Sequence, residues 1–318
     1  MCLKAISSVI IKFNYNILMR IFFLFLILNF NLIANVFANS TPIINSEWLS
    51  KNLCKKNVKL IEVGLSYNSF LVEHVKCSKY TNFYKDGWRR NIDGVAMQLP
   101  KPINLAAILN NMGIKNEDHI VLYAKTSTNY YAVAETTAIY FSLKYLGHEK
   151  ISILDGGYPN FKKKFNLLIE EGEPEENQIT DYKITLNKSI LATIDDLQDN
   201  KKNNIRLIDA RERDFFLGIN KLAKFSNYGT IKGAFNIPSK WFLEGRKLKF
   251  NKISVLYKVY DYFDINPKDS IIFFCYSGLE SSINWFISHE LMQNKNSRLY
   301  EGSIFEWTFK EKLLYKNF

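Results

Sequence analysis

Two short apolar runs, residues 120–123 and Ile271–Phe274, lie between more polar segments of the chain. Continuous apolar runs of this length are typical of strands that are buried on both faces of a parallel sheet. Each run is followed by a segment with the character of a helix, at residues 130–146 and residues 281–292. Gly147 stands directly after the first of these segments, where a glycine commonly ends a helix.

A further short strand is predicted after each helix, at residues 151–154 and residues 298–300, and a glycine-containing turn follows each strand. The order strand, helix, strand gives parallel βαβ units. The pattern therefore predicts an α/β protein with mainly parallel sheets flanked by helices.

These elements belong to an internal repeat. Four blocks recur in the same order and at nearly the same spacing, namely residues 60–63 and 207–210, 92–95 and 231–234, 120–123 and 271–274, and 153–157 and 299–303. Such repetition indicates two copies of one structural unit. We predict a first domain at residues 42–169, a linker at residues 170–190 that begins with an acidic run, and a second domain at residues 191–318.

The chain has 318 residues, a hydrophobic fraction of 47% and a formal net charge of +11. A basic chain can bind nucleic acid, but the lysines here are scattered and are not interleaved with aromatic residues in the pattern of a nucleic-acid-binding surface. We therefore expect no nucleic-acid partner and a general attraction for small anions.

The first 38 residues have the pattern of a signal peptide. They contain three basic and no acidic residues, and an apolar stretch at residues 21–28 leads to a sequence at residues 36–38 that suits cleavage before Asn39. We expect export to a periplasmic compartment, with an uncleaved N-terminal anchor as the alternative. Met19 is a more typical signal start, so residues 1–18 can reflect the choice of start codon. Apart from such an anchor, we expect no stable membrane partner.

The four cysteines are Cys2, Cys54, Cys77 and Cys275. Cys2 leaves with the signal segment. In an oxidising compartment Cys54 and Cys77 can pair, which marks Cys275 as the odd, reactive thiol. Three unpaired thiols are the alternative.

Cys275 stands where a predicted buried strand ends and a helix begins, at the edge of a parallel sheet where ligands bind. Ser277 and Gly278 allow a tight curl whose N–H groups form an anion-binding nest, and Ser281 or Ser282 can cap the helix. The nest and the helix N-terminus are expected to lower the pKa of the thiol. A buried, inert cysteine is the alternative that the loop alone leaves open.

Several motifs resemble those of one family. They are Leu-Asp-Gly-Gly-Tyr at residues 154–158, Asp-Ala-Arg at 209–211, Gly-Thr-Ile-Lys-Gly-Ala-Phe-Asn-Ile-Pro at 229–238, and Leu-Tyr-Glu-Gly-Ser-Ile-Phe-Glu-Trp at 299–307. Together with the loop from Cys275, they resemble the tandem-domain rhodaneses, which include thiosulfate and 3-mercaptopyruvate sulfurtransferases. The resemblance covers about residues 42–318.

In that family only the C-terminal domain carries the catalytic cysteine, and Ala124 is the counterpart of Cys275 in the first repeat. The resemblance implies that Cys275 takes sulfur from a small-molecule donor, forms a persulfide and passes the sulfur to a thiophilic acceptor. It also implies a structural first domain and no metal or organic cofactor. The residues implied to contact the donor or hold the persulfide are Tyr276, Ser277, Gly278, Leu279, Glu280, Ser281 and Arg213.

Three features depart from the family pattern. Thiosulfate enzymes carry cations beside the cysteine, whereas this loop carries Tyr276, Ser277 and the acidic Glu280. The arginine that usually contacts the donor falls on Phe215, which leaves the nearby Arg213 as a candidate. The histidine of the family's first-domain motif falls on Asn91.

Two other functions stay open at this point. A phosphatase or arsenate reductase of the related cysteine-loop type needs an arginine at the end of a loop one residue longer, where this chain has Ser281 and Ser282. A non-catalytic rhodanese-like module for sulfur carriage or binding is favoured by Glu280 and the missing arginine, and is disfavoured by the retention of Cys275.

Overall fold

The computed structural model describes residues 41–126, 130–200, 202–223, 227–245, 248–266 and 268–318. The predicted signal segment and its cleavage site lie outside these residues. Within the described part of the chain, no helix has both the length and the apolar character needed to cross a membrane.

The first domain is built around a parallel sheet. Its strands are β1 (Ile43–Ile44), β2 (Val58–Val63), β3 (His74–Val75), β4 (Ser78–Thr81), β5 (Arg90–Ile92), β6 (Val95–Gln98), β7 (His119–Ala124), β8 (Ile151–Leu154) and β9 (Ile169–Glu170). Five of them form the sheet in the order β1-β8-β7-β2-β4, whereas β3 with β9 and β5 with β6 form small antiparallel pairs. The helices are α1 (Ser46–Asn52), α2 (Tyr67–Val72), α3 (Pro102–Asn111), α4 (Tyr131–Tyr145) and α5 (Gly157–Lys164).

The second domain repeats this plan with fewer strands. They are β10 (Arg206–Asp209), β11 (Phe235–Asn236), β12 (Ile271–Phe274) and β13 (Ser297–Leu299), and they form a parallel sheet in the order β11-β10-β12-β13. The helices are α6 (Ile194–Gln198), α7 (Arg213–Leu217), α8 (Ile253–Tyr262), α9 (Ser281–Trp285) and α10 (Ser303–Phe309). Short 3-10 turns lie at Asn166–Leu168, Lys188–Ile190 and Ser239–Phe242.

The two apolar runs that predicted buried strands form β7 and β12, and each strand lies inside its sheet. Residues 120–124 of β7 and all four residues of β12 are buried, so both faces of each strand are covered. The prediction of mainly parallel α/β domains is confirmed. The helix expected at residues 281–292 differs in its second half. It is α-helical only as far as Trp285 and continues as a π-helix over Phe286–Leu291.

The two domains pack through α4 and α9, the helices that follow the equivalent strands β7 and β12. Phe141 meets Trp285 edge-on at 4.8 Å between ring centroids, and Tyr140 donates a hydrogen bond of 2.7 Å to Glu290. The largest hydrophobic cluster runs continuously from one domain into the other. Burial of this shared apolar surface holds the domains together, so the first domain is in place to support a site on the second.

Of the two alternatives that the sequence left open for the cysteines, the structure has the disulfide. Cys54 and Cys77 are bonded, with their Cα atoms 5.4 Å apart, and Cys275 is a free, buried cysteine. The bond links the segment after α1 to the segment before β4, on the first domain.

Candidate active site

Cys275 follows the last residue of β12 and opens a loop that ends where α9 begins at Ser281. The loop turns at Gly278, whose φ of +74° lies in the left-handed region that glycine adopts without steric cost. Its inner side is fastened to Ser303. The Ser303 hydroxyl accepts hydrogen bonds from the Cys275 and Gly278 amides at 3.1 and 3.0 Å and donates one to the Tyr300 carbonyl at 2.8 Å. The loop conformation therefore depends on the turn after β13.

A buried ion pair between the domains lies behind this turn. The Arg89 guanidinium of the first domain donates two hydrogen bonds to the Glu301 carboxylate, at 2.9 and 2.5 Å. Arg89 also donates to the carbonyls of Trp88 and Ala138. The Glu301 carboxylate presses against Gly278, where a Cβ atom would lie only 2.6 Å from its Oε2. The first domain thus braces the cysteine loop through Arg89.

The Cys275 thiol is completely buried. The Ser281 hydroxyl donates a hydrogen bond to its sulfur at 3.4 Å, and the backbone amides of Ser277 and Ser281 are also directed at it. These donors favour the thiolate. Burial and the negative charge of Glu280 oppose it more strongly, and they raise the pKa of Cys275 to about 11 from an ordinary value of 9.0.

Two expectations from the sequence are wrong here. The pKa of Cys275 is raised rather than lowered, because the loop removes the thiol from water and places a carboxylate nearby. Neither Ser281 nor Ser282 caps the helix, since the N-cap residue is Glu280 and its side chain makes no capping hydrogen bond. The Ser282 hydroxyl instead donates back to the Leu279 carbonyl at 2.7 Å.

Glu280 connects the loop to the first domain. Its carboxylate is almost wholly buried and accepts a hydrogen bond from the Tyr130 hydroxyl. The Lys240 ammonium lies 4.6 Å from the centroid of the Tyr130 ring and forms an ion pair of 2.8 Å with Glu212. Burial raises the pKa of Glu280, and the hydrogen bond from Tyr130 acts in the opposite direction.

Tyr276 points toward a second buried ion pair. Arg211 binds Asp209 at 2.6 Å and lies 4.7 Å from the Tyr276 ring centroid. Phe215 meets the Tyr276 ring edge-on at 5.5 Å. Aromatic packing therefore occupies the place where an arginine would contact a donor.

The structure brings six of the predicted site residues together around Cys275. They form one continuous buried loop of Tyr276, Ser277, Gly278, Leu279, Glu280 and Ser281. Arg213 is different, because it is exposed at the first residue of α7 and its role as a donor contact stays a prediction.

The sequence predicted a structural first domain but did not identify the residues through which it reaches the loop, nor the nearby Lys240. Tyr130 could have been found from the repeat, since it ends the first-domain segment equivalent to the cysteine loop. Glu301 and Ser303 lie within a motif that had been identified, but without an assigned role. Arg89 and Lys240 carry no motif signal, because only the packing of the domains brings them to the loop.

Comparison with known proteins agrees with this geometry. The family model of the rhodanese-like domain matches the chain twice, at residues 45–164 and residues 193–310. The chain belongs to the rhodanese family. Its two matches coincide with the two sheets, and the second contains Cys275.

Curated relatives of this rhodanese-family chain include sulfurtransferases. It is 26% identical over 281 residues to a candidate thiosulfate sulfurtransferase of Mycobacterium bovis, covering 85% of this chain and 95% of that protein. It is 25% identical over 217 residues to thiosulfate sulfurtransferase of Bos taurus, covering 66% and 70%.

Two solved structures share the fold. The 3-mercaptopyruvate sulfurtransferase SseA from Escherichia coli matches with a TM-score of 0.71 and 19% identity, over 83% of this chain and 99% of that one. YnjE matches with a TM-score of 0.74 and 18% identity, over 87% and 69%. The fold class and the family resemblance inferred from the sequence are confirmed.

Proposed function

We propose that the protein is a sulfurtransferase that carries sulfane sulfur as a Cys275 persulfide. The observation that carries this proposal is the surroundings of the thiol. An unpaired cysteine lies at the carboxyl end of a central parallel strand, and three donors from Ser277 and Ser281 are directed at its sulfur. Such donors stabilise a negatively charged sulfur as an oxyanion hole stabilises oxygen. The relationship to thiosulfate sulfurtransferases supports the same activity.

The reaction has two displacement steps. The Cys275 thiol gives its proton to hydroxide from the solvent, and the thiolate attacks the sulfane sulfur of thiosulfate or the thiol sulfur of 3-mercaptopyruvate. A bond forms between Sγ and that sulfur. The bond within the donor breaks, and its electron pair leaves on sulfite or on the enolate of pyruvate. A thiophilic acceptor such as cyanide, sulfite or a thiol then takes the outer sulfur of the persulfide and returns Cys275 as the thiolate.

The alternative is a rhodanese-like module that carries or binds sulfur without turnover. The raised pKa of Cys275 favours this alternative, since it lowers the fraction of reactive thiolate at neutral pH. The buried carboxylate of Glu280 favours it too, because it repels an anionic donor.

We place the protein in the periplasm or an equivalent exported compartment. The signal-like pattern of residues 1–38 supports export, and the disulfide between Cys54 and Cys77 suits an oxidising environment. Donor and acceptor are small molecules, and nucleic acid has no part in the activity.

Intact-protein mass spectrometry tests the proposal. The mature protein is incubated with thiosulfate and, separately, with 3-mercaptopyruvate. A gain of one sulfur atom is expected, which cyanide removes and which Cys275→Ser abolishes. A stable adduct that cyanide or a thiol removes once, without repeated turnover, would favour the carrier alternative. Absence of any adduct from both donors would refute sulfur transfer through Cys275.

A further inference from the structure

The cysteine loop contains no positively charged side chain that could attract the anionic donors proposed above. Its one charged side chain is Glu280, which is buried and acidic. The position four residues beyond Arg211 holds the apolar ring of Phe215 against Tyr276. An anionic donor that approaches Cys275 therefore needs a positive charge from outside the loop.

Two buried arginines near the loop are already committed. Arg211 is bidentate toward Asp209, and Arg89 is bidentate toward Glu301. Both pairs are buried, and a guanidinium that leaves such a partner leaves behind an unpaired buried carboxylate, which is strongly unfavourable. Neither arginine is free to follow a substrate.

Lys240 has a different setting. It lies on the 3-10 turn Ser239–Phe242, which is fixed to the end of the central sheet because the Ser239 amide donates to the Ala210 carbonyl at 3.0 Å. Its ammonium lies 4.6 Å from the ring centroid of Tyr130, and the hydroxyl of that ring donates to Glu280 in the loop. One aromatic ring thus separates the Lys240 charge from the cysteine loop.

The ion pair between Lys240 and Glu212 is exposed enough for another anion to replace Glu212. The Lys240 side chain is 49% exposed and that of its partner Glu212 is 38% exposed. Ion pairs between exposed side chains contribute little to stability, so another anion can replace Glu212 at small cost. The flexible stem of a lysine allows its ammonium to swing between two such partners.

We propose, resting on the function above, that Lys240 recognises the anionic group of the sulfur donor beside the cysteine loop, across the ring of Tyr130. Its ammonium exchanges Glu212 for the sulfonate-like end of thiosulfate or the carboxylate of a mercapto acid. Tyr130 separates this positive charge from Glu280 and keeps the two from pairing directly. Lys240 is therefore a specificity-determining residue that selects donors carrying a negative charge.

The charge of Lys240 is secure over the working pH range. Its hydrogen bond with Glu212 raises the pKa of the ammonium, and the phenol of Tyr131 and Glu280 act in the same direction against a smaller effect of burial.

Alkylation of Cys275 tests the inference without any sulfur transfer. The rate with iodoacetate, an anion, is divided by the rate with iodoacetamide, which is uncharged and of similar size. The ratio is measured in the full chain and in Lys240→Ala, Lys240→Glu and Lys240→Arg. Lys258→Ala, which removes an exposed lysine from α8, is the matched control.

We expect the ratio to fall about tenfold in Lys240→Ala, the size of one hydrogen bond to a charged group, and further in Lys240→Glu. Lys240→Arg and Lys258→Ala should stay within about threefold of the parent chain. In thiosulfate loading, Lys240→Ala should raise the concentration for half-maximal rate and leave the maximal rate nearly unchanged.

An unchanged alkylation ratio in both Lys240→Ala and Lys240→Glu would overturn the role of Lys240, whatever the result with thiosulfate. Another outcome is that the parent chain takes up no sulfur while the alkylation ratio still falls in the Lys240 variants. That result would refute the sulfurtransferase proposal and leave Lys240 as an anion-recognition residue. The two failures are therefore distinguishable.

Discussion

Neutralising Glu280 should make Cys275 a stronger acid. The carboxylate is buried in the loop, and its charge opposes the Cys275 thiolate. Glu280→Gln removes the charge, keeps nearly the same volume and retains an oxygen that can accept the hydrogen bond from Tyr130. At the alkaline pH where Cys275 titrates, Glu280 is ionised, so the substitution acts on the charge that is present.

The size of the effect is bounded by the pKa of the thiol. A rise from 9.0 to about 11 corresponds to about 3 kcal/mol against the thiolate. About one molecule in 10,000 then carries a thiolate at pH 7, compared with about one in 100 at the ordinary value. Burial accounts for the larger part and persists in Glu280→Gln. The thiolate fraction at pH 7 should therefore rise by less than about 100-fold.

The assay is the rate of iodoacetamide alkylation of Cys275 as a function of pH. Because this reagent is uncharged, it reports the thiolate fraction and is insensitive to a donor-binding charge. The inflection should move to lower pH in Glu280→Gln, because burial, the largest cause of the raised pKa, remains while the charge is removed. Asp261→Asn, which neutralises an exposed carboxylate on α8, should leave it in place. An inflection that is unchanged or moves upward in Glu280→Gln would refute the electrostatic argument.

Three further predictions concern the support of the loop. Arg89→Met should lower the free energy of unfolding by about 3–5 kcal/mol in urea titrations, because it leaves Glu301 as an unpaired buried carboxylate; a loss below 1 kcal/mol would contradict the interdomain brace. Gly278→Ala should abolish sulfur loading, since its Cβ would lie 2.6 Å from Glu301 and its φ is +74°, and retention of parent loading rates would show that the loop tolerates another shape. Replacing Cys54 and Cys77 by serine should lower the stability measured by thermal unfolding by about 3 kcal/mol. The alkylation rate of Cys275 should stay unchanged, and a changed rate would show that the disulfide influences the cysteine loop.

Most of the fold could be predicted because its signals are local or repeated. The apolar runs of β7 and β12 are covered on both faces, and such burial leaves a continuous pattern in the sequence. The strand predicted at residues 298–300 lies one residue earlier, at Ser297–Leu299. The π-helical half of the helix after α9 was not predicted, since an i+5 hydrogen-bond pattern has no distinct apolar period.

The candidate site was predicted only as far as the loop itself. Cys275 could be chosen because the motifs resemble the rhodaneses, in which only the C-terminal domain carries the catalytic cysteine, and Ala124 stands at the equivalent position of the first repeat. The sign of the thiol pKa shift could not be obtained, because it depends on the depth of burial and on where the Glu280 carboxylate points. Both are properties of the packed structure. The same is true of Lys240, which reaches the loop only through the ring of Tyr130.

The contrast between the two equivalent sheet edges shows what the first domain contributes. Ala124, the counterpart of Cys275, is the last residue of β7, and the ammonium of the following Lys125 pairs with the buried Glu62 at 3.3 Å. In the described part of that edge, Ala124 takes the position of the thiol, and a lysine pairs with the buried carboxylate. The same domain nevertheless supplies Arg89, which braces the cysteine loop through Glu301, and Tyr130, which binds Glu280. Residues that carry no reacting atom can therefore still set the geometry and the electrostatic surroundings of the thiol. Substitutions across this interface should change the reactivity of Cys275.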